Sequence, residues 1–165
     1  MATTEPTFAF TTKSNGGIRR QLKNTVSIIN GDQTGDFVAL WDTGATGTCV
    51  SHAVVTQLGL VPTGKQNIQT PSGCITVNTY LVDIKLPNNV NIKDAVVCDS
   101  EIGNQGLGVL IGMDIITRGD FSVSNYNGQT VFSFRIPSKQ MTDYVAQIRT
   151  QNITGTHGKG KRKHK

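Results

Sequence analysis

The chain has 165 residues, the length of one ordinary domain, and carries 16 Lys and Arg against 11 Asp and Glu, a formal net charge of +5. Five of the basic residues lie within 159–165, so the first 158 residues hold 11 basic and 11 acidic side chains. A formally neutral body excludes a domain that is a basic nucleic-acid clamp throughout, and it assigns the excess charge to a C-terminal tail.

The composition favours a cytoplasmic β-protein. Hydrophobic residues make up 36% of the chain and charged residues 16%, which is too apolar and too weakly charged for a disordered chain. No apolar run reaches the ~18–20 residues of a membrane span, and residues 1–10 lack the features of a signal peptide. The cysteines Cys49, Cys74 and Cys98 are odd in number and widely spaced. We therefore expect reduced thiols and a cytoplasmic location.

The first half of the chain is predicted to form hairpins around one short helix. Residues 1–21 are rich in Thr, Ser, Gly and Asn and are expected to form a flexible N-terminal segment. Ser51 is a suitable N-cap for a helix over 51–58, and Gly59 suits its end. The sequence Pro-Ser-Gly at 71–73 has turn chemistry. The predicted strands in this half are 25–29, 37–41, 65–70 and 74–86.

The second half continues with strands and ends in a helix. Asn127-Gly128 is a strong hairpin signal, and residues 113–117 predict a helical turn. After Pro137 the apolar residues follow a helical period, which predicts an amphipathic helix over 138–150. Residues 151–165 are rich in Gly, Lys and His and are expected to be a disordered basic tail. The predicted strands are 90–98, 109–111, 121–126 and 129–136.

A carboxylate at the end of an apolar strand is the sharpest chemical feature of the sequence. Residues 39–46 read Ala-Leu-Trp-Asp-Thr-Gly-Ala-Thr, so Asp42 ends a strand and is followed at once by Thr43 and Gly44. The strand fixes the carboxylate, backbone N–H groups after it can hold its charged form, and glycine permits close approach. An Asp-Thr-Gly occurs by chance in roughly one chain in ten to twenty, so a plain strand-end turn is the alternative.

Three elements in order resemble the retropepsin-like aspartic proteases. In that family an apolar strand ends in Asp-Thr/Ser-Gly-Ala, a flap hairpin follows, and a second apolar strand leads into Gly and a short helix. Here ALWDTGAT is followed by a flap candidate at 68–77 and then by GVLIGMDII. The resemblance covers about residues 22–136. It implies an all-β, single-domain retropepsin-like barrel over 22–137, with a flap hairpin and short helices, that closes as a homodimer.

The resemblance implies that one chain holds half an active site. Asp42 is the only aspartate followed by Thr-Gly or Ser-Gly, whereas an aspartic protease needs two carboxylates. It therefore implies a homodimer in which Asp42 of each subunit meets its copy at the two-fold axis. The pair shares one proton: one carboxylate activates a water, and the protonated one donates to the scissile carbonyl oxygen. The implied activity is aspartic endopeptidase, with a polypeptide substrate, no metal and no cofactor.

The resemblance also implies a role for each matching residue. Asp42 supplies the catalytic carboxylate, Thr43 bonds across the dimer axis, and Gly44 accepts a substrate N–H through its carbonyl. Gly112 lets the strand at 109–111 pass close behind the Asp42 loop. Substrate binds as an added strand beneath a closing flap. The implied substrate-binding residues are Ala45, Pro71, Ser72, Gly73, Cys74, Leu110 and Ile111.

The sequence departs from the viral members of that family at the dimer interface. Viral enzymes carry acidic residues after Asp-Thr-Gly-Ala and an Arg after the later glycine, and here those positions are Thr46, Gly47 and Met113. That salt-bridge network is therefore absent. We expect Asp114 to take a local structural role instead, by capping the following helical turn or by binding nearby backbone.

Several alternatives stay open. A catalytically idle barrel of the same fold, acting as a dimerisation or peptide-binding module, is the main rival to the enzyme. His52 beside Ser51 allows a Ser-His-Asp reading, but a surface or packing role is favoured for His52. Cys49 and Cys74 are expected to be small packing residues, with a redox-sensitive thiol as the alternative. The tail is interpreted first as a solvated end, second as a weak nucleic-acid or acidic-partner contact, and third as an address signal.

Overall fold

A computed structural model of the chain describes residues 6–70 and 73–157. Strands dominate this part of the chain, as the composition predicts. In chain order the strands are β1 Phe8–Lys13, β2 Leu22–Asn30, β3 Gln33–Trp41, β4 Cys49–Ser51, β5 Gly64–Thr70, β6 Gly73–Lys85, β7 Asn91–Ser100, β8 Val109–Ile111, β9 Asp120–Ser124 and β10 Val131–Ile136.

The helices are short, apart from the last. They are α1 His52–Gln57, α2 Met113–Ile116 and α3 Tyr144–His157, with single 3₁₀ turns at Pro87–Asn89, Gly103–Gln105 and Tyr126–Gly128. The predicted N-cap of α1 is confirmed, because the hydroxyl of Ser51 accepts a hydrogen bond from the backbone N–H of Val54. Across the described residues, each helix is too short or too polar to cross a lipid bilayer.

Seven strands form one sheet that closes on itself. Their order is β2-β3-β8-β4-β7-β6-β5, and β2 pairs a second time with β6. This second pairing, which matches Ile28 with Ile84, closes the sheet into a barrel. The expected all-β barrel is therefore confirmed. The hairpins β2–β3 and β5–β6 form where turn residues separate two predicted strands.

The N-terminal segment is not a flexible lead-in throughout. Residues 8–13, which fall within the segment expected to be flexible, form β1 and pair antiparallel with β10 in a three-stranded sheet ordered β1-β10-β9. Phe10 explains the difference, because its ring is only 2% exposed and lies 5.7 Å from that of Trp41 and 6.0 Å from that of Phe132. Burial of this aromatic side chain and the ladder between β1 and β10 together oppose the entropy cost of ordering the segment.

The C-terminal helix begins later than predicted. It spans Tyr144–His157 rather than 138–150, so part of the segment expected to be disordered is helical. The carboxylate of Asp120 accepts hydrogen bonds from the Ser138 hydroxyl and from the N–H of Lys139, which holds this segment in a non-helical path. The Asp143 carboxylate then accepts from the N–H of Ala146 at 3.0 Å, and that cap starts the helix. The remaining tail, residues 158–165, lies outside the described residues.

The burial of Phe10 yields a stability prediction. Phe10→Ala should lower the free energy of unfolding by about 3–5 kcal/mol, because it removes a buried ring and leaves a cavity among the aromatic side chains. Urea unfolding followed by tryptophan fluorescence measures the change. Phe8→Ala on the same strand is the matched control, since Phe8 is 41% exposed, and it should cost only about 0.5 kcal/mol. Equal losses for the two variants would show that β1 is not anchored through Phe10.

Candidate active site

Asp42 lies where two central strands of the barrel end together. Strand β3 pairs in parallel with β8, and Trp41 is in register with Ile111. The N–H of Asp42 donates to the Ile111 carbonyl at 3.0 Å, which extends the ladder by one bond before the loop begins. Asp42 is half-buried, whereas Thr43 and Gly44 are exposed. The buried strands therefore fix the backbone of Asp42 while the loop that follows reaches the surface.

Backbone N–H groups within the loop bond both the carboxylate and the backbone carbonyl of Asp42. The N–H of Gly44 donates to Oδ1 of Asp42 at 2.8 Å, and the N–H of Ala45 donates to the Asp42 carbonyl at 3.2 Å. A hydrogen bond from a backbone N–H restricts the rotation of the carboxylate. The loop thus presents an oriented carboxylate with a polar group, the Thr43 hydroxyl, beside it in sequence.

A buried threonine connects the loop to the helical turn after β8. The Thr48 hydroxyl donates to Oδ1 of Asp114 at 2.7 Å, and the Thr48 N–H donates to Oδ2 at 3.0 Å. The same hydroxyl accepts from the N–H of Gly112 at 3.0 Å. The expectation that Asp114 binds nearby backbone is confirmed. Thr48 was not predicted, because one threonine between Gly47 and Cys49 carries no sequence signal of burial.

Gly112 permits the close approach that its position predicts. A Cβ at residue 112 would lie 2.5 Å from the Gly47 carbonyl oxygen and 3.1 Å from that of Ala45. Two further hydrogen bonds cross this contact, from the N–H of Met113 to the Ala45 carbonyl at 2.9 Å and from Asp114 to Thr46 at 3.1 Å. Backbone hydrogen bonds therefore join the Asp42 loop to α2, in addition to the side-chain contact between Thr48 and Asp114.

The flap candidate is a long two-stranded hairpin. Strands β5 and β6 pair antiparallel from Gly64–Thr79 to Thr70–Gly73, and the Thr70 hydroxyl donates to the Gly73 carbonyl at 2.9 Å. Pro71 and Ser72, expected at the flap tip, lie outside the described residues. Cys74 is exposed on this hairpin. A cleft of about 480 Å³ lies between the hairpin and the ends of α1 and β7, with apolar walls from Ile68, Ile75 and Val77.

The two residues of β8 assigned to substrate contact have different environments. Leu110 is half-buried and packs against the small cluster of Cys49, Cys98 and Leu107. Ile111 is fully buried in the main core. This burial corrects the expectation that the Ile111 side chain contacts substrate. A wholly apolar run gives no alternation from which to decide which residue faces outward.

The buried cysteines are packing residues. Cys49 on β4 and Cys98 on β7 are in register on neighbouring parallel strands and are both free thiols. A hydrogen bond to the Cys98 side chain, together with burial, raises the pKa of the Cys49 thiol far above its usual value. A thiol with a raised pKa stays protonated and is a poor nucleophile.

His52 does not complete a Ser-His-Asp site with Asp42. Its side chain is 56% exposed on α1, and its ring nitrogens lie 3.5 Å from an Asp99 oxygen and 3.3 Å from a Glu101 oxygen. Ser51 is buried and its hydroxyl caps α1. The surface role expected for His52 therefore matches its surroundings.

Comparison with known proteins connects this geometry to a family. The sequence profile of the family described as "gag-polyprotein putative aspartyl protease" matches residues 26–118, more than half of the chain. No curated protein matches the sequence. Among solved structures, a retropepsin-like aspartic protease from Rickettsia conorii shares 12% sequence identity with a TM-score of 0.53, and the alignment covers 81% of this chain and 98% of that one. This likeness shows the fold.

Two viral proteases give weaker structural matches. Simian foamy virus (mac) protease is 23% identical over 58% of this chain and 91% of its own, with a TM-score of 0.43. EIAV protease complexed with the inhibitor HBY-793 is 22% identical over 60% of this chain and 88% of its own, with a TM-score of 0.46. The fold assignment rests on the Rickettsia conorii structure and not on these two.

The contact at Gly112 yields a second prediction. Gly112→Ala should lower the free energy of unfolding by about 1–3 kcal/mol, because the new methyl group overlaps the Gly47 carbonyl and forces the two loops apart. Urea unfolding measures the loss. Gly47→Ala is the control from the other side of the contact, since a Cβ at Gly47 meets nothing within 4 Å. If both variants unfold at the same urea concentration, the close backbone approach is not what joins the loops.

Proposed function

Because the chain belongs to the gag-polyprotein aspartyl protease family, we propose that it is an aspartic endopeptidase whose active site combines Asp42 from two copies of the chain. The observation that carries this proposal is the position of Asp42. It ends a central barrel strand, its carboxylate is oriented by the N–H of Gly44, and the loop after it is open to solvent.

The number of carboxylates supports the dimer. A water activated between two aspartates needs a second carboxylate, and the sequence holds a single Asp-Thr-Gly. A two-fold axis beside the exposed Thr43 and Gly44 supplies the second copy from the same surface. The catalytic unit is then the pair of chains, and neither chain alone is complete.

The three-stranded sheet offers an edge for this association. Among described residues β9 pairs with β10 alone, and Ser122, Val123 and Ser124 on β9 are exposed. The opposite edge, β1, is covered in part, because the side chain of Asn88 donates to the Ala9 carbonyl at 3.2 Å. An uncovered edge strand readily pairs with another chain. We propose that β9 pairs with β9 of the second copy at the dimer axis.

The proposed reaction needs one shared proton. Two carboxylates in contact cannot both ionise easily, so the pair titrates as a unit with one proton between them. The ionised Asp42 takes a proton from a bound water, which attacks the peptide carbonyl. The protonated Asp42 of the other copy donates its proton to the carbonyl oxygen, which gives a gem-diol. As the C–N bond breaks, the proton taken from the water passes to the leaving amine, and one gem-diol hydroxyl returns its proton to the other Asp42. Thr43 of each copy bonds across the axis and keeps the two loops together.

Substrate is proposed to bind as an extended strand between the loop and the flap hairpin. The Gly44 carbonyl accepts a substrate N–H, and Ala45 leaves room for the peptide backbone. The hairpin β5–β6, with Cys74 exposed near its tip, closes over the peptide and excludes water. Main-chain hydrogen bonds then provide affinity, and alternate side chains enter the apolar surfaces to either side.

Loss of the Asp42 carboxylate tests the catalytic assignment. Asp42→Asn should lower cleavage of an unstructured protein substrate by about 10³-fold or more between mildly acidic and neutral pH, because the amide can neither activate water nor share the proton. Gel electrophoresis of the protein substrate and a peptide cleavage assay measure the rate of cleavage. Asp32→Asn, at the β2–β3 turn, is the control and should cleave like the parent. Equal cleavage by all three proteins would refute the assignment, and binding without cleavage by the parent chain would favour the idle module.

Mixing subunits tests whether the active site is shared. After subunit exchange, equal amounts of the parent chain and Asp42→Asn should retain about one quarter of the activity of the same total concentration of parent chain, since one dimer in four carries two aspartates. A fall to one half would mean that each chain works alone. Sedimentation of the parent chain at the assay concentration gives the independent check, and a strict monomer that cleaves would contradict the dimer.

A further inference from the structure

A second cleft lies away from the flap, at the end of β1 and the start of β2. Its volume is about 570 Å³, and four of its lining residues are cationic: Lys13, Arg19, Arg20 and Lys23. Its other lining residues are neutral. Neutral hydroxyl and amide side chains such as Ser14 and Gln21 share the walls, so the cleft offers hydrogen-bond donors as well as positive charge.

The net charge of the first 158 residues is zero, although positive charge is concentrated at this cleft. Residues 13–23 hold four of the 11 basic side chains in the first 158 residues and no acidic one. In the part of the chain described, none of the four cationic side chains forms an ion pair or a hydrogen bond. By contrast, Lys93 and Arg135 are paired with Asp83 and Asp120. Four unpaired cations around one concave surface create a positive potential that attracts an anionic ligand.

The loop that carries two of these cations is held in place. The N–H of Ser14 donates to the Thr130 carbonyl at 2.8 Å, and the Thr130 N–H donates back to the Ser14 hydroxyl at 3.1 Å. The N–H of Arg19 donates to the Thr130 hydroxyl at 2.8 Å, and the Gln129 side chain donates to the Ser14 carbonyl at 2.9 Å. The backbone before Arg20 is thus attached to the β9–β10 turn, which reduces the entropy cost of binding at this loop.

We propose that this basic cleft binds single-stranded nucleic acid. Arg19 and Arg20 are suited to bidentate contact with phosphate oxygens, and Lys13 and Lys23 supply further charge. Tyr126 distinguishes a nucleic acid from an acidic peptide. It lies on the turn that holds the loop through Gln129 and Thr130, and it is 81% exposed. Tyr126 is not itself a lining residue, but its carbonyl accepts from the N–H of Gln129, whose side chain bonds the Ser14 carbonyl at the wall of the cleft. A bound strand that extends past the cleft along this turn could stack a base on the exposed ring, which an acidic peptide would not use.

The cleft adjoins the strand pair that leads to Asp42, and it is distinct from the cleft at the flap hairpin. Lys23 is in register with Leu40, and Leu22 with Trp41, the residue before Asp42. The flap hairpin contributes none of the residues that line the cleft. Nucleic acid bound here therefore leaves the flap cleft open. It would also hold the protease close to proteins that are attached to the same nucleic-acid strand.

Binding of a fluorescent 20-nucleotide oligo-dT to the full chain tests the proposal by anisotropy over a salt series. The double variant Arg19→Gln/Arg20→Gln should weaken binding about tenfold at low salt and reduce the slope of log K against log salt by about 1.4, at about 0.7 per lost phosphate contact. Lys65→Gln/Lys85→Gln removes the same charge on β5 and β6 and should change binding less than about twofold. Tyr126→Ala should weaken binding about fivefold or more, and Tyr126→Phe should restore it.

Two further arms separate the cleft from other sources of binding. In a full-length variant with the five basic residues of 159–165 changed to Gln, the affinity for oligo-dT should still fall when Arg19 and Arg20 are replaced by Gln. Loss of all binding in that variant would assign the activity to the tail and overturn the proposal. Poly-glutamate that competes as well as oligo-dT at equal charge would show an acidic-peptide site instead. Circular dichroism and urea unfolding confirm that each variant is folded, and an unchanged affinity in Arg19→Gln/Arg20→Gln refutes the cleft.

Discussion

The parallel pairing of β3 with β8 is the constraint on which the site depends. It ends with the hydrogen bond from Asp42 to Ile111, so the position of the carboxylate is set by two strands buried in the barrel. The loop then returns against α2 because residue 112 has no side chain and because Thr48 bonds to both Gly112 and Asp114. A buried hydroxyl with several partners is costly to remove, since each partner would be left without its bond.

The remaining structure holds this strand pair in a closed barrel. The second pairing of β2 with β6, at residues 27–29 of β2, closes the sheet next to β3, the strand that leads to Asp42. The three-stranded sheet packs its aromatic residues on Trp41, whose ring stacks on Phe121 with centroids 5.4 Å apart and lies 5.2 Å from Phe134. Trp41 is thus held by core packing directly before Asp42, so the packing also restrains the backbone of Asp42. The open edge of the same sheet, β9, is where the second copy is proposed to pair. The sheet that packs on the core of one chain would therefore also form the dimer interface.

Charged side chains are unevenly distributed in the folded domain. The first 158 residues are formally neutral, yet four of their 11 basic side chains line the cleft between β1 and β2, while acidic residues stabilise loops elsewhere. Asp120 is an example, because backbone and side-chain hydrogen bonds from Lys139, Ser138 and Arg135 hold its pKa well below the usual range. That carboxylate fixes the chain after β10. The cations of the proposed nucleic-acid cleft and the carboxylate of Asp120 thus have different tasks: the first remain available for a ligand, and the second stabilises the fold.

The sequence by itself determined the elements that rest on local chemistry. An apolar strand ending in Asp42, the turn residues of the flap, the N-cap of α1 and the glycine after β8 each depend on neighbours within a few residues, and the structure contains all of these that it describes. Tertiary structure decided what depends on distant partners. Phe10 orders β1 through rings on β3 and β10, Thr48 is buried through residues more than 60 positions away, and Asp120 holds residues 138–140 in the non-helical path that precedes α3. The difference is physical: propensity and turn chemistry act along the chain, whereas burial and long-range hydrogen bonds exist only once the chain is folded.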